Sequence, residues 1–278
     1  MASGSPDSGL GAPALECAGL TRRFGEATAV SEVSFEVRAG ELFGLLGPNG
    51  AGKTTIHSML TTLLEPTAGQ ARVGGFDVVR DAAKVRDIIG VLFQEPALDD
   101  RLTARENLEL HAVLYRIRPR ALGSCVSRAL EWAELAGRAD RPVRTFSGGM
   151  KRRLELARAI LHQPRVLFLD EPTVGLDPQG RRQLWDRIAT LRRGGLTAFV
   201  TTHNMQEAEG CDRVAIIDHG RLLALGPPFE LGARVTGRTQ ATLEDIFLEL
   251  TGRGLRDDEA TPRDRLLSFG RRGGELTR

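Results

Sequence analysis

Cysteine, lysine, long apolar runs and net charge are all in short supply, and each shortage removes a class of explanation. The 278 residues include three cysteines, Cys17, Cys125 and Cys211, odd in number, far apart and without a CxxC pair. Neither a disulfide framework nor a zinc cluster is expected, and a reducing compartment suits the chain. The longest apolar runs, at 42–46 and 166–169, fall far short of the ~20 residues that a membrane-spanning helix needs. A net charge of +2 is too small to announce a nucleic-acid surface. The opening stretch, MASGSPDSGLGAP, has no basic segment followed by an apolar one, so 1–13 is expected to be a disordered leader and not a secretory signal. Of 38 basic residues only Lys53, Lys84 and Lys151 are lysines, so each retained lysine marks a position to examine.

What remains is ordinary globular composition, 41% hydrophobic and 27% charged, at a length that suits one α/β domain, with or without an inserted lobe. Residues 29–37 alternate apolar and polar side chains as a half-buried strand does, and 41–46 reads as a more fully buried one, so two strands are expected before the first motif. Ile56, Met59, Leu60, Leu63 and Leu64 then recur at helical spacing and stop at Pro66, which predicts one amphipathic helix. From about 99 to 146 the pattern is helical, with Leu108, Ala112 and Tyr115 on one face, and predicts an inserted helical lobe. Strand patterns return at 166–169, 198–201 and 214–218, with helical stretches between them, including one marked by Leu184, Ile188 and Leu191. Such alternation implies a largely parallel sheet covered by helices. Residues 14–252 form the expected α/β domain, and 253–278, without periodicity, the expected flexible tail.

Gly47-Pro48-Asn49-Gly50-Ala51-Gly52-Lys53-Thr54 matches GxxxxGK[ST] and lies between a buried strand and an amphipathic helix, the context that the motif requires. Glycines let backbone N–H groups turn inward around phosphate oxygens, and the following helix presents its positive end. Lys53 adds a point charge, the Thr54 hydroxyl can ligate Mg²⁺, and Thr55 joins the nucleotide-binding set. Val166-Leu167-Phe168-Leu169-Asp170-Glu171 delivers two carboxylates to the carboxyl end of a buried strand, where open α/β sheets bind ligands. Asp170 is suited to holding the metal's water shell, and Glu171 to polarising the water that attacks a γ-phosphate. Taken alone, this stretch could equally be a strand ending in a solvated acidic turn; the phosphate loop upstream decides for the first reading.

Ser147 is a good N-cap for a helix whose buried face would be Met150, Leu154, Ala157 and Leu161, and Gly148 and Gly149 leave its start bare of side chains. A bare, positive helix end suits an anion. With one phosphate loop in the chain, a second anion-grasping end is best explained if it faces the nucleotide of another copy. The expected assembly is a homodimer with two nucleotides sandwiched head to tail.

In this order, over about residues 15–228, the motifs resemble the ABC transporter ATPase family. Gln94, after the apolar run 88–93, looks like its Q-loop glutamine, and Ser147-Gly148-Gly149-Met150-Lys151 resembles its LSGGQ signature. Val174-Gly175-Leu176-Asp177 looks like the D-loop, and His203 like the switch histidine. The resemblance implies an α/β P-loop NTPase of ABC type, with a mainly parallel sheet, an antiparallel β subdomain and the inserted helical lobe. It implies ATP and Mg²⁺, with Glu171, His203 and Gln94 catalytic, Thr54, Gln94 and Asp170 at the metal, and Ser147, Gly148, Gly149 and Asp177 at the nucleotide. Phe24 lies where the family often puts an adenine-stacking aromatic, a core role being the alternative. The signature departs from the family at Met150-Lys151, and the D-loop at Val174.

Thr242-Leu243-Glu244-Asp245-Ile246-Phe247-Leu248, together with Phe146 before the signature serine, resembles the drug-efflux branch typified by daunorubicin-resistance ATPases. That implies a peripheral subunit on the cytoplasmic face of the cell membrane, partnered by an ABC-2 type permease, with no nucleic-acid partner and with drug, antibiotic or lipid-like cargo. The accessory region before this motif is shorter than in that branch. A soluble ATPase acting on ribosomes or nucleic acid, and an importer subunit, are the competing readings.

Overall fold

The computed structural model describes residues 12–95, 97–237 and 241–252. Most of the expected leader and the whole of the expected tail lie outside the described residues. The main sheet has six strands in the order β10-β9-β3-β8-β7-β6. They are β3 (Leu42–Leu46), β6 (Ile89–Leu92), β7 (Val166–Asp170), β8 (Thr197–Thr202), β9 (Arg213–Asp218) and β10 (Arg221–Gly226). All neighbours pair parallel except β9 and β10. Sequences such as LFGLL and TAFVTT are buried along their whole length, as strands covered on both faces must be. Alternate side chains of β7 serve the two faces: Val166 and Phe168 join one apolar cluster, Leu167 and Leu169 the other.

A second sheet, β2-β1-β4-β5, is antiparallel and comprises β1 (Leu15–Phe24), β2 (Ala27–Val37), β4 (Ala68–Val73) and β5 (Phe76–Asp77). Three strands, not the expected two, precede the glycine-rich loop. The additional one, β1, carries register shifts against β2 that break the period-2 pattern by which strands are recognised. Phe35 of this sheet stacks on Phe43 and Phe199 of the main sheet, with centroids 5.3 and 6.0 Å away, tying the two layers together.

Helix α1 (Lys53–Leu60) is shorter than its apolar spacing predicts. Thr62 turns to φ +64°, and Leu63 and Leu64 both donate to the Ser58 carbonyl, which closes the helix before Pro66 and leaves Leu63 62% exposed. After α2 (Ala82–Ile88) and β6 come α3 (Ala104–Leu114), α4 (Pro119–Trp132) and two 3₁₀ turns, Ala136–Arg138 and Val143–Thr145. Thr103 and Glu106 form a reciprocal capping box at the start of α3. Leu108 and Ala112 of α3 and Val126 and Leu130 of α4 share a cluster with Leu154 and Ala157 of α5 (Gly148–Ile160) and its C-cap Leu161, as expected, while Met150, the fourth residue of the expected face, is only half-buried against it. Helix α6 (Pro178–Arg193), α7 (Met205–Glu209), α8 (Pro228–Thr236) and α9 (Leu243–Thr251) complete the described chain. Ile246 and Phe247 of α9 are buried in the same apolar cluster as Leu167 and Leu169 of β7.

Candidate functional site

Three adjacent strands, β3, β8 and β7, bring their carboxyl ends to one edge of the sheet. The glycine-rich loop leaves β3 at Gly47, where a Cβ would fall 2.4 Å from the Ile217 carbonyl oxygen. At Gly52 φ is +101° and a Cβ would lie 2.7 Å from the Ala29 oxygen, so both positions require glycine. Gly50 is also left-handed, at φ +81°. Pro48 and Ala51 are buried, whereas Asn49, Gly50 and Thr54 are exposed and Thr55 half-buried. Helix α1 follows Gly52 with no side-chain cap hydrogen bond, and its positive end suits an anion. Inside the loop Lys53 Nζ donates to the carbonyl oxygens of Gly47 at 2.8 Å and Pro48 at 3.1 Å.

The same ammonium lies 3.3 Å from Glu171 Oε1, and His203 Nδ1 lies 2.7 Å from Glu171 Oε2. Burial would push the Glu171 carboxyl up, but the His203 hydrogen bond and the Lys53 charge outweigh it and hold the group below the usual carboxylate range. Glu171 adopts φ +46°, a strained conformation for a non-glycine residue. Its N–H donates to Thr201 O at 3.1 Å, which fixes that turn. The Thr201 hydroxyl donates to the carboxylate of Asp170, itself 4% exposed. Thr201 was not among the sequence-derived candidates; its register opposite Asp170 in the β7–β8 pairing is the signal that places it.

Ser147 caps α5 by accepting from Met150 N at 3.3 Å, and Asp177 caps α6 by accepting from Gly180 N at 2.6 Å. Ser147, Gly149 and Asp177 line a cleft of about 190 Å³ to which no residue of the glycine-rich loop contributes. An added Cβ at Gly148 or Gly149 would meet nothing within 4 Å, so packing within the chain does not explain these glycines. Met150 turns into the lobe core and Lys151 pairs with Asp100 at 2.7 Å, while Val174 is 49% exposed. All three lysines are thus engaged, the third being Lys84 with Asp81 at 2.8 Å.

Gln94 is exposed in the loop after β6. Phe24 is 49% exposed with the Arg22 guanidinium 4.6 Å from its ring centroid, which excludes the core role. Sequence reasoning also missed Arg152, one of three consecutive basic residues, which is 7% exposed and bonded to carbonyl oxygens near both Glu171 and Gln94. A larger cavity, about 890 Å³, opens near the amino ends of β7 and β8, lined by Trp132, Leu161, Val166 and Leu196 among others, and holds none of these groups.

A backbone cradle with a buried lysine, beside a carboxylate bonded to a histidine, is chemistry for a nucleoside triphosphate. Known proteins resemble the chain in sequence and in fold. The family described as ABC transporter matches residues 30–174. The chain is 44% identical to the daunorubicin resistance ATP-binding protein DrrA3 of Streptomyces coeruleorubidus, over 81% of this chain and 71% of that one. It is 45% identical to the Nod factor export ATP-binding protein I of Neorhizobium galegae, over 81% of this chain and 65% of that one. The solved ATP binding subunit of an ABC transporter superposes with a TM-score of 0.78 at 29% identity, covering 85% of this chain and 99% of the other. The likeness to the drug-resistance branch and the P-loop NTPase fold are therefore as expected from the sequence, and the chain belongs to the ABC transporter family as one of its ATP-binding ATPases.

Proposed function

We propose that this chain is the ATP-hydrolysing subunit of an exporter, that two copies close around two ATP molecules, and that the cycle drives a separate ABC-2 type membrane subunit. The observation that carries the reading is the carboxylate of Glu171 held between Lys53 and His203 at the mouth of the glycine-rich loop. Loop amides from Gly47 to Thr55 would bind the phosphates, with Phe24 beside the base. Entry of a triphosphate would draw Lys53 away from Glu171, and with that charge gone the carboxylate becomes a better proton acceptor for the attacking water. His203 would steady charge on the γ-phosphate, and Gln94 would sense it.

Oxygen donors alone, the Thr54 hydroxyl, the Asp170 carboxylate and the Gln94 amide, fit a hard cation such as Mg²⁺. Among the described residues no group of three or more His, Cys, Asp or Glu side chains is arranged to hold a metal, so the ion would share phosphate oxygens and water. When bound, Mg²⁺ would neutralise charge on the phosphates.

The bare helix end at Ser147, Gly148 and Gly149, with Asp177 nearby, supports closure by a second copy. Among the described residues no helix is long and apolar enough to cross a membrane, so the reading assigns that role to a partner. Leu110, Val113 and Leu114 on α3 are 54, 61 and 69% exposed at i, i+3, i+4 spacing and offer that partner an apolar stripe on the membrane's cytoplasmic face. The same reading takes residues 14–252 as the ATPase domain, with the lobe at about 99–146. The names of relatives, daunorubicin resistance and Nod factor export, support export of drug, antibiotic or lipid-like cargo. Capture of the tagged chain from its native membranes tests the assignment: an integral membrane protein should accompany it, and rRNA or DNA in its place would overturn the reading.

A further inference from the structure

Arg152 and Glu155 are 7% and 1% exposed on α5, and a buried guanidinium is tolerated only where its donors are matched. Here they are. Nη1 donates to Phe93 O at 2.6 Å and Glu155 Oε2 at 3.2 Å, and Nε to Pro172 O at 2.8 Å. Nη2 reaches the carbonyl oxygens of Glu171 at 3.4 Å and Asp170 at 3.5 Å. The other oxygen of Glu155 accepts from Ala97 N at 2.8 Å, and Arg158 Nη1 donates to Ala97 O at 2.9 Å. Gln94 sits between Phe93 and Ala97, so its loop is bonded to α5 at both ends, while the same guanidinium grips three successive carbonyls around Glu171. The flanking Lys151 and Arg153 make ordinary surface pairs with Asp100 and Glu134.

We propose that Arg152, held by Glu155, is a positioning residue that fixes the backbone of Glu171 relative to the Gln94 loop and passes any tilt of α5 to that carboxylate. The proposal rests on the roles given to Glu171 and Gln94 above. Apolar residues of equal volume would stabilise such a site as well or better, so stability alone does not account for an ion pair here. A lysine has the charge but not the planar fork that spans carbonyls on different segments.

The test uses the full chain with Arg152→Gln, Arg152→Lys and Glu155→Gln, each alone and combined with Glu171→Gln, reading thermal midpoint, ATP affinity and single-turnover hydrolysis. Arg152→Gln should lower the hydrolysis rate ~10–100-fold with ATP affinity little changed, because displacement of a reacting group costs rate before it costs binding. Arg152→Lys should recover the midpoint but not the rate. Adding Arg152→Gln to Glu171→Gln should cost far less than adding it to the wild type, since no base remains to be positioned. A wild-type rate in Arg152→Gln, or an equal penalty in both backgrounds, overturns the proposal. If Arg152→Gln does not fold, wild-type rates in both Arg152→Lys and Glu155→Gln overturn it instead. Undiminished hydrolysis by Glu171→Gln alone refutes the underlying reading of the base, whatever the Arg152 variants do.

Discussion

Replacing Glu171 by glutamine keeps the side chain's volume and one acceptor oxygen and removes its charge. Glu171 is 7% exposed, and its carboxylate lies 3.3 Å from Lys53 Nζ and 2.7 Å from His203 Nδ1, so effects on fold and on reaction have to be separated. Lys53 retains the carbonyl oxygens of Gly47 and Pro48, which limits the loss of stability to the ~1–3 kcal/mol expected for one missing partner of a buried polar group. Loss of a positioned base costs ~10²–10⁴-fold in rate, or about 3–5 kcal/mol of barrier. The kinetic effect should dominate. Phosphate release from MgATP, binding of a fluorescent ATP analogue and the thermal midpoint, measured on one preparation, distinguish the two. Because its partners depress the carboxyl's pKa, Glu171 stabilises the fold above the ordinary carboxylate range and loses that contribution as pH falls through the lowered value. The stability gap between wild type and variant should therefore close in acid. Undiminished hydrolysis refutes the assignment of the base, and a loss of binding as large as the loss of turnover would mean that Glu171 holds the loop together instead.

Gly52→Ala should lower the thermal midpoint and abolish ATP binding by calorimetry: the left-handed backbone costs about 1–2 kcal/mol and the Cβ would lie 2.7 Å from Ala29 O; unchanged melting would contradict this. Thr103→Ala removes the capping box of α3 and should cost ~1 kcal/mol in a urea titration with turnover unaltered. The His111 pKa is pushed down to about 3 by burial, with Arg158 and His162 adding to the effect. Below the ordinary 6.5 the unfolded chain takes up a proton that the folded chain refuses, so stability is full above that value and falls toward pH 3. His111→Phe should flatten this acid slope, leaving the part due to His57 and His162, whose pKa values burial also lowers; a slope equal to that of the wild type would show that His111 is not its source.

What could be read from the sequence was whatever local pattern dictates. The loop from Gly47 to Thr54, the apolar strand ending in Asp170 and Glu171, and the face Leu154, Ala157 and Leu161 of α5 each carry their own signature, and the structure has them as expected. Less was legible where long-range pairing overrides local pattern. Strand β1 hides because bulges interrupt its alternation, and α1 stops early because Thr62 takes a left-handed turn that no glycine announces. Arg152 is concealed within Lys151-Arg152-Arg153, which reads as a solvated face. Its spacing to Glu155, Leu156 and Ala159, all buried, held the missing clue that α5 has a second inward side.

That second side has a consequence for the segment 99–146. Its apolar residues gather in a cluster of their own that is completed by Leu154, Ala157 and Leu161 of α5 and its C-cap, while Leu156 and Ala159 of the same helix belong to the cluster under the main sheet. The segment thus shares α5 as a common wall with the cluster under the main sheet. Cutting it out would strip one surface of α5 to water, and leaning on it from outside would move the wall and everything anchored in it.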